Sequence, residues 1–304
     1  MLGAAPGDPS AASRSRDPSC FGAAARDPLR SCENRKLAFS VAPKPNAALL
    51  EPSAPCRPMP RAGPPEVCAF GFDRARSKAT FALVGDSHAV HWRATLAVMA
   101  RTRRWRGLTL ARSVCPFTFA TTTTLRESEW ANCRRWKQDV VRWFERHPKV
   151  HTVFVSQHSR ASVEVAAGED GHAALVAGFV RAWRALPRSV RHIVVIRDPP
   201  YVETRTLACV KRALATRKRP GLACALPRES SLEDDPAVDA AEQLRSPRVQ
   251  VVDLTRFMCD GSRCFPVVGG VLVKKDKGHL TRTFAETLAP FLRRQVNRLM
   301  ASWR

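Results

Sequence analysis

This sequence of 304 residues lacks several features that are typical of other classes of protein. No stretch approaches the roughly 18–20 uninterrupted apolar residues of a membrane-spanning helix. The first 20 residues hold no apolar segment behind a basic one, so they do not predict a secretory signal. The sequence has one Tyr and no run in which basic and aromatic residues are regularly interspersed. No Cys-x-x-Cys occurs, and no cysteine–histidine group has the spacing of a zinc finger.

The net charge of +23 suggests nucleic-acid binding, but the distribution of the charge argues against it as the primary function. Most of the 50 basic residues are Arg, spread along the whole chain among Ala and Pro, as a GC-rich coding sequence produces. Such a charge also attracts acidic polymers and anionic membrane surfaces. Polyanion binding remains an alternative function, and it predicts an affinity that depends strongly on salt.

Ten cysteines are many for a chain of this size and favour disulfides formed in an oxidising compartment. Their number is even, but the sequence alone does not choose among the possible connectivities. Because this content conflicts with the missing signal, we expect the chain to be the extracytoplasmic portion of a longer protein. The simplest connectivity joins sequence neighbours: Cys20–Cys32, Cys56–Cys68, Cys115–Cys133, Cys209–Cys224 and Cys259–Cys264.

The composition and the apolar pattern of the sequence change near residue 76. Residues 1–75 are rich in Pro, Ala, Arg and Ser, contain four cysteines and are interpreted as an irregular lead-in or linker. In residues 76–304, short apolar runs alternate with helical patterns, which indicates a mostly parallel sheet covered by helices on both faces. We predict a three-layer α/β/α sandwich with a central five-stranded sheet and an insertion at 201–234. The predicted strands are 79–84, 108–111, 151–156, 193–196 and 249–253; the predicted helices are 88–104, 127–146, 171–186, about 235–245 and 281–300.

The first candidate for chemistry is Gly85–His88, of sequence Gly-Asp-Ser-His, at the end of the first strand of this region. Sandwiches of this type bind ligands at the carboxyl ends of their strands. A serine at the start of the following helix has its backbone N–H where the helix dipole favours an oxyanion. The alternative is that Asp86 or Ser87 only caps the helix.

The second candidate is Asp276-x-x-His279, just before the last helix. An aspartate three residues before a histidine can bond the Nδ1–H, which leaves Nε2 free to accept a proton from a serine. The alternative is that Asp276 pairs with the surrounding lysines and that His279 lies on the surface. Combined with the first candidate, this pattern predicts a catalytic triad of Ser87, His279 and Asp276.

These segments carry a family resemblance. Phe81–Ala89 resembles the first block of the SGNH hydrolases, and Asp276–Thr281 resembles their last block. The subtype is similar to the SGNH domain fused to membrane acyltransferase 3 proteins, O-acyltransferases that modify cell-surface polysaccharides. The resemblance covers about residues 76–300 and implies a flavodoxin-like sandwich. Further similar segments are Ser113–Pro116, Cys133 with Trp136, Arg197–Pro200, and Asp253–Leu254 followed by Cys259 and Cys264.

The sequence departs from the family pattern at the oxyanion hole. The SGNH block Gly-x-Asn-Asp, whose Asn completes that hole, is replaced by Ser156–Ser159. No second-block glycine is evident after the second strand of this region. We therefore expect the oxyanion donors to be the Ser87 N–H with Ser113 and Gln157. Losing one such donor typically costs about 2.7–4 kcal/mol of transition-state stabilisation.

The resemblance implies an enzyme, an SGNH-type acyltransferase or esterase. It would transfer an O-acetyl group to a cell-envelope polysaccharide, or hydrolyse an ester there, through an acyl-serine intermediate. The implied partners are an acyl-ester donor, a carbohydrate acceptor and a membrane acyltransferase module, and the implied location is extracytoplasmic, periplasmic or at the cell surface. No cofactor and no metal are expected. The alternative is a non-catalytic glycan- or partner-binding module on a degenerate SGNH scaffold.

Overall fold

The protein, seen in a computed structural model, is described for residues 19–30, 32–59, 63–123 and 127–303. The strands are β1 (Arg57–Pro58), β2 (Cys68–Gly71), β3 (Ala79–Gly85), β4 (Trp105–Ala111), β5 (Thr152–Ser156), β6 (His192–Ile196), β7 (Leu226–Pro227), β8 (Val249–Val252), β9 (Arg263–Cys264), β10 (Val267–Val268) and β11 (Val271–Leu272). The helices are α1 (Pro45–Ala48), α2 (Ser87–Arg103), α3 (Glu127–Arg146), α4 (Gly171–Ala185), α5 (Thr206–Ala215), α6 (Pro220–Ala223), α7 (Arg228–Ser231), α8 (Pro236–Leu244), α9 (Arg282–Thr287) and α10 (Ala289–Ser302).

The central sheet has the strand order β1-β2-β4-β3-β5-β6-β8. The five predicted strands form its parallel part, β4-β3-β5-β6-β8, and this confirms the α/β fold class. The predicted count of five is corrected to seven, because β2 pairs antiparallel with β4 and β1 pairs antiparallel with β2. Both extra strands are short and come from the Pro-rich segment 1–75, where no alternating pattern marks them. The division of the chain at residue 75 stays a prediction.

Two apolar layers lie on opposite faces of the sheet, as expected when successive strand residues point to opposite sides. In β3, Phe81 and Leu83 pack with side chains of α2, α9 and α10. Ala82 and Val84 pack with side chains of α3, α4 and α8. All four side chains are buried. This central position fixes the end of β3, from which the chain enters α2.

The helix predicted over 281–300 is two helices, α9 and α10, that meet at Leu288. Pro290 lies in the first turn of α10. Proline has no N–H and its ring clashes with the carbonyl four residues earlier, so it fits the beginning of a helix and not its interior. The apolar pattern continues across the break, which is why the sequence indicated one helix.

Disulfides tie the peripheral segments to this sandwich. All ten cysteines are paired, each with its sequence neighbour, as in the simplest predicted connectivity. In the insertion 201–234, the Cys209–Cys224 disulfide links α5 to the end of α6. Among the described residues, no helix combines the length and hydrophobicity needed to span a bilayer.

Candidate active site

The turn between β3 and α2 presents the Ser87 side chain at a helix N-terminus. Ser87 is the first residue of α2, and Asp86 before it is the N-cap. The buried Asp86 carboxylate accepts the N–H of His88 at 2.8 Å and the N–H of His158 at 3.0 Å. Capping is therefore the role of Asp86, and the Ser87 hydroxyl is left for another partner.

Gly85 lets strand β5 approach this turn closely. It lies opposite Ser156 in the parallel register, with φ at 150°. A Cβ on Gly85 would lie 1.9 Å from the carbonyl oxygen of Ser156, a distance that no side chain tolerates. Only glycine fits here, so this position links the sequence motif directly to the geometry of the turn.

Ser87, His279 and Asp276 form one continuous line of hydrogen-bonding groups. Ser87 Oγ lies 2.9 Å from His279 Nε2, although 192 positions separate the two residues. His279 Nδ1 lies 2.9 Å and 3.0 Å from the two Asp276 carboxylate oxygens. Asp276 Oδ1 also accepts the backbone N–H of Gly278 and of His279. Burial would raise the pKa of Asp276, but the hydrogen bonds from His279 outweigh it and hold that pKa well below its usual value.

The two segments predicted to supply oxyanion donors both lie beside this turn. The Gln157 side chain is buried, and within the described part of the chain neither its amide nitrogen nor its amide oxygen has a hydrogen-bond partner. Ser113 is exposed and follows Arg112, whose N–H donates to the carbonyl of Gly85 at 3.1 Å. Val114 has φ at 60°, a left-handed conformation that β-branched residues rarely adopt.

A family model of the SGNH domain fused to AT3 domains matches residues 55–294. The chain belongs to this family. A solved structure of similar fold is the periplasmic domain of a lipopolysaccharide acetyltransferase from Salmonella ser. Paratyphi A, with a TM-score of 0.56 and 14% sequence identity. That likeness covers 73% of this chain and 84% of the other and, at this identity, shows the fold alone. No curated protein sequence matches the chain.

Next to Ser87, His279 and Asp276, this SGNH domain holds a second histidine–aspartate pair. His88 Nδ1 lies 2.5 Å from Asp198 Oδ1, and both side chains are fully buried. Asp198 Oδ2 also accepts the N–H of Ser159 at 3.0 Å and the hydroxyl of Tyr201 at 3.2 Å. Burial opposes the charged form of each partner, but their mutual attraction and hydrogen bond outweigh it. The pKa of His88 is therefore raised and that of Asp198 lowered.

Two further ionisable groups complete the buried cluster. Lys274 is buried and donates a hydrogen bond from Nζ to the carbonyl of Gly278, one residue before His279. Burial lowers the pKa of Lys274 to about 8. Asp235 Oδ2 accepts the Asp198 N–H at 2.8 Å, and burial, followed by the charge of Asp198, raises the pKa of Asp235 to about 6. Lys274 therefore supports the turn that carries His279, whereas Asp235 holds the backbone of Asp198.

No role was predicted from the sequence for this buried cluster, although signals for it were present. His88 stands beside Ser87, and Asp198 lies in the Arg197–Pro200 segment that carried part of the family resemblance. The two residues are 110 positions apart, so only the fold reveals that they pair. Lys274 belongs to a group of lysines that resembles a solvated surface, and its burial follows only from the packing around it.

Three buried groups lie close enough together to be compared with a metal site. His88, His91 and Asp198 each place one ligand atom within 4.8 Å of the others, the one such group among the described residues. The hydrogen bond between His88 and Asp198 already uses a ligand atom of two of these three residues. Burial, together with the positive charges of His88 and Lys274, lowers the pKa of His91. The neighbouring Lys274 ammonium would repel a bound metal ion, so the arrangement favours the ion pair between His88 and Asp198. The expectation of a metal-free site stays a prediction.

Proposed function

We propose that this SGNH domain transfers an acyl group, or hydrolyses an ester, through an acyl-enzyme formed on Ser87. The coarser assignment to acyl chemistry rests on the family and on the fold it shares with an acetyltransferase domain. The single observation that carries the finer proposal is the 2.9 Å contact between Ser87 Oγ and His279 Nε2. That distance suits proton transfer from a nucleophile to its base.

In the first half of the reaction, His279 Nε2 takes the proton of the Ser87 hydroxyl as Oγ bonds to the carbonyl carbon of the donor ester. Asp276, bonded to Nδ1, stabilises the imidazolium and fixes its orientation. Collapse of the tetrahedral intermediate breaks the donor's C–O bond, and His279 gives its proton to the departing alcohol. The acyl group is then esterified to Ser87.

In the second half, an acceptor hydroxyl gives its proton to His279 Nε2 and its oxygen attacks the acyl-serine. The bond to Ser87 Oγ breaks, and the hydroxyl of Ser87 regains the proton from His279. A carbohydrate hydroxyl as acceptor makes the protein a transferase, whereas water makes it an esterase. The acceptor proposed here is a hydroxyl of a cell-envelope polysaccharide, in keeping with the lipopolysaccharide named for the structural neighbour.

The proposed oxyanion donors are the Ser87 N–H, Ser113 and the Gln157 amide. The N–H of Ser87 belongs to the first turn of α2, where backbone donors are free for an anion. Gln157 is the stronger of the two side-chain candidates, because its buried amide beside the end of β5 has no hydrogen-bond partner among the residues that the structure describes. An unpaired buried donor gains most from an oxyanion that forms in the transition state.

The proposed setting is extracytoplasmic, next to a membrane acyltransferase module that supplies the acyl donor. The five disulfides fit an oxidising compartment, and the structural neighbour is a periplasmic domain. The family description itself names fusion to AT3 domains.

The test is hydrolysis of p-nitrophenyl acetate by the purified protein. Ser87→Ala should lower the rate by about 10⁴-fold or more, because it removes the nucleophile. Mass spectrometry of the quenched wild type should find one acetyl group on the peptide that contains Ser87. Ser77→Ala, at a partly exposed serine whose hydroxyl donates to the Arg74 carbonyl, is the matched control and should react like the wild type. Equal rates for Ser87→Ala and the wild type would refute the proposal.

One observation favours the alternative, a glycan-binding module without catalysis. Ser156–Ser159 replaces the family's Asn-containing block at the oxyanion hole. This alternative predicts that the wild type binds a polysaccharide but forms no acyl-serine with any short-chain ester.

A further inference from the structure

A cavity of about 320 Å³ lies beside the turn that carries the proposed base. One wall is the insertion 201–234, and the opposite wall includes Lys277 from the Asp276–His279 turn. Its volume is at the lower end of the roughly 300–1,000 Å³ of small-molecule sites. Among the residues that line it are Arg160, Tyr201, Val202, Thr204, Ser230 and Lys277.

Contacts between the insertion and the turn place this cavity next to His279. The Val202 N–H donates to the carbonyl of Lys277 at 3.0 Å. A Cβ added to Gly278 would lie 3.4 Å from Cε1 of Tyr201. Lys277 and Tyr201 therefore both lie close to Gly278, the residue directly before His279. Lys277 lines this cavity two residues before His279, so the cavity lies next to the turn that carries the proposed base.

The cavity walls are held in place before any ligand binds. The Arg160 guanidinium lies 4.1 Å from the centre of the Tyr201 ring. It also bonds the Glu233 carboxylate at 2.8 Å and the carbonyl of Ser230 at 3.0 Å. The Tyr201 hydroxyl in turn donates to the buried Asp198. A wall fixed in this way loses little conformational entropy when it binds a ligand.

The lining combines hydroxyl groups, an exposed ammonium and small apolar patches. Thr204 can both donate and accept hydrogen bonds, and the Lys277 ammonium is a donor. The Ser230 hydroxyl donates to the Pro227 carbonyl at 3.3 Å and can accept a hydrogen bond from a ligand. Val202 contributes an apolar surface. Alternating donors, acceptors and C–H faces are the chemistry of a sugar ring. Three larger cavities, near Leu222, His172 and Asp260, are not lined by the Asp276–His279 turn.

We propose that this cavity is the acceptor subsite, which binds one sugar unit of a polysaccharide so that its hydroxyl reaches His279. This inference rests on the proposed function, whose second half needs an acceptor hydroxyl at that base. A site of this kind favours transfer over hydrolysis, because a bound sugar raises the local concentration of its hydroxyl next to the acyl-serine.

The test measures binding and not turnover, in the Ser87→Ala protein. The probe is lipid-free polysaccharide purified from the cell envelope of the organism that encodes the protein, titrated by isothermal calorimetry. Thr204→Trp, which places an indole in the cavity, should raise the Kd by at least about tenfold, the effect of losing about 1.4 kcal/mol. Gly261→Trp is the matched control: it adds the same side chain beside the cavity near Asp260, where an added Cβ meets nothing within 4 Å. Its Kd should stay within about twofold of the parent value, a change below about 0.4 kcal/mol.

Lys277→Ala provides a second variant in case Thr204→Trp does not fold. The Lys277 side chain is exposed, and its carbonyl still accepts the Val202 N–H after the change. Binding should weaken by at least about threefold, close to the loss of one hydrogen bond at the lower end of its range. Absence of binding in the parent protein, or binding that neither cavity variant weakens, would overturn the proposal.

The outcomes separate this inference from the proposed function. If the wild type forms an acyl-serine but the cavity variants bind polysaccharide normally, the acceptor subsite is wrong and the enzyme assignment stands. If the cavity variants lose binding and the wild type forms no acyl-serine, the cavity binds sugar but is not an acceptor subsite, and the protein is a binding module.

Discussion

The His279–Asp276 pair and the His88–Asp198 pair contain the same side chains, with closest N···O distances of 2.9 Å and 2.5 Å. Their imidazole rings lie 5.0 Å apart between centroids. The first pair is 30% and 39% exposed, whereas the second is 1% and 2% exposed. His279 Nε2 contacts Ser87 Oγ, but His88 Nε2 has no partner among the described residues.

This difference in burial indicates that the two histidine–aspartate pairs have different roles. A partly exposed pair that reaches a hydroxyl can exchange protons with a substrate. A fully buried pair loses the solvation of its charges, and its attraction offsets that loss only while both partners remain. We therefore expect changes in the first pair to affect activity and changes in the second to affect stability.

The largest expected effect is on activity, from Asp276→Asn. Asn retains an oxygen for the Gly278 and His279 N–H groups, but it no longer holds His279 as the tautomer that accepts the Ser87 proton. The kcat for p-nitrophenyl acetate should fall about 10⁴-fold, as it does for this change in serine-protease triads. The free energy of unfolding should change by less than about 1 kcal/mol, because the pair is more than one-third exposed on the Asp276 side.

A third pair supplies the control for this prediction. His172 Nε2 lies 2.6 Å from Asp239 Oδ2, with side-chain exposures of 39% and 40% that resemble those of the His279–Asp276 pair. Asp239→Asn should leave kcat unchanged, since His172 Nε2 faces the Asp239 carboxylate and, within the described part of the chain, no serine or cysteine is hydrogen-bonded to its ring. A loss of activity in Asp239→Asn equal to that in Asp276→Asn would contradict the assignment.

The next effect is on stability, from Asp198→Ala. It leaves His88 buried without its carboxylate and removes the acceptor of the Ser159 N–H and the Tyr201 hydroxyl. Urea unfolding with the disulfides intact should show a loss of about 3–5 kcal/mol. Asp239→Ala, at the exposed pair, should cost less than about 1 kcal/mol. Similar losses for the two variants would remove the distinction between buried and exposed pairs.

The smallest effect concerns Lys274, which bonds Gly278 beside the first pair and interacts with Asp198 of the second. Its pKa is about 8 in the folded protein, against an ordinary 10.5. Between these values the unfolded chain binds more protons, so raising the pH through this window stabilises the fold. Relative to Lys274→Met, the wild type should gain up to about 3 kcal/mol between pH 8 and pH 10.5. Urea unfolding of both proteins at several pH values checks this; a difference that does not vary with pH contradicts it.

The regular part of the fold was predictable because it follows local patterns. Helix α3 has the predicted bounds, since Trp136, Val140, Trp143 and Phe144 recur at helical spacing and are all buried. The short strands β1 and β2 were missed because their pairing depends on the exposed edge of β4 and not on any pattern of their own. The break at Leu288 was missed because the apolar stripe continues across Pro290.

Local sequence determined the Gly-Asp-Ser turn, the Asp-x-x-His turn and the even set of cysteines, because each is a pattern of neighbours whose chemistry depends on short spacing. Only the tertiary structure decided that Ser87 meets His279, that His88 pairs with Asp198 across 110 positions, and that Lys274 is buried. The physical reason is that burial sets the strength of a charge interaction, and burial belongs to the packed fold and not to any single segment.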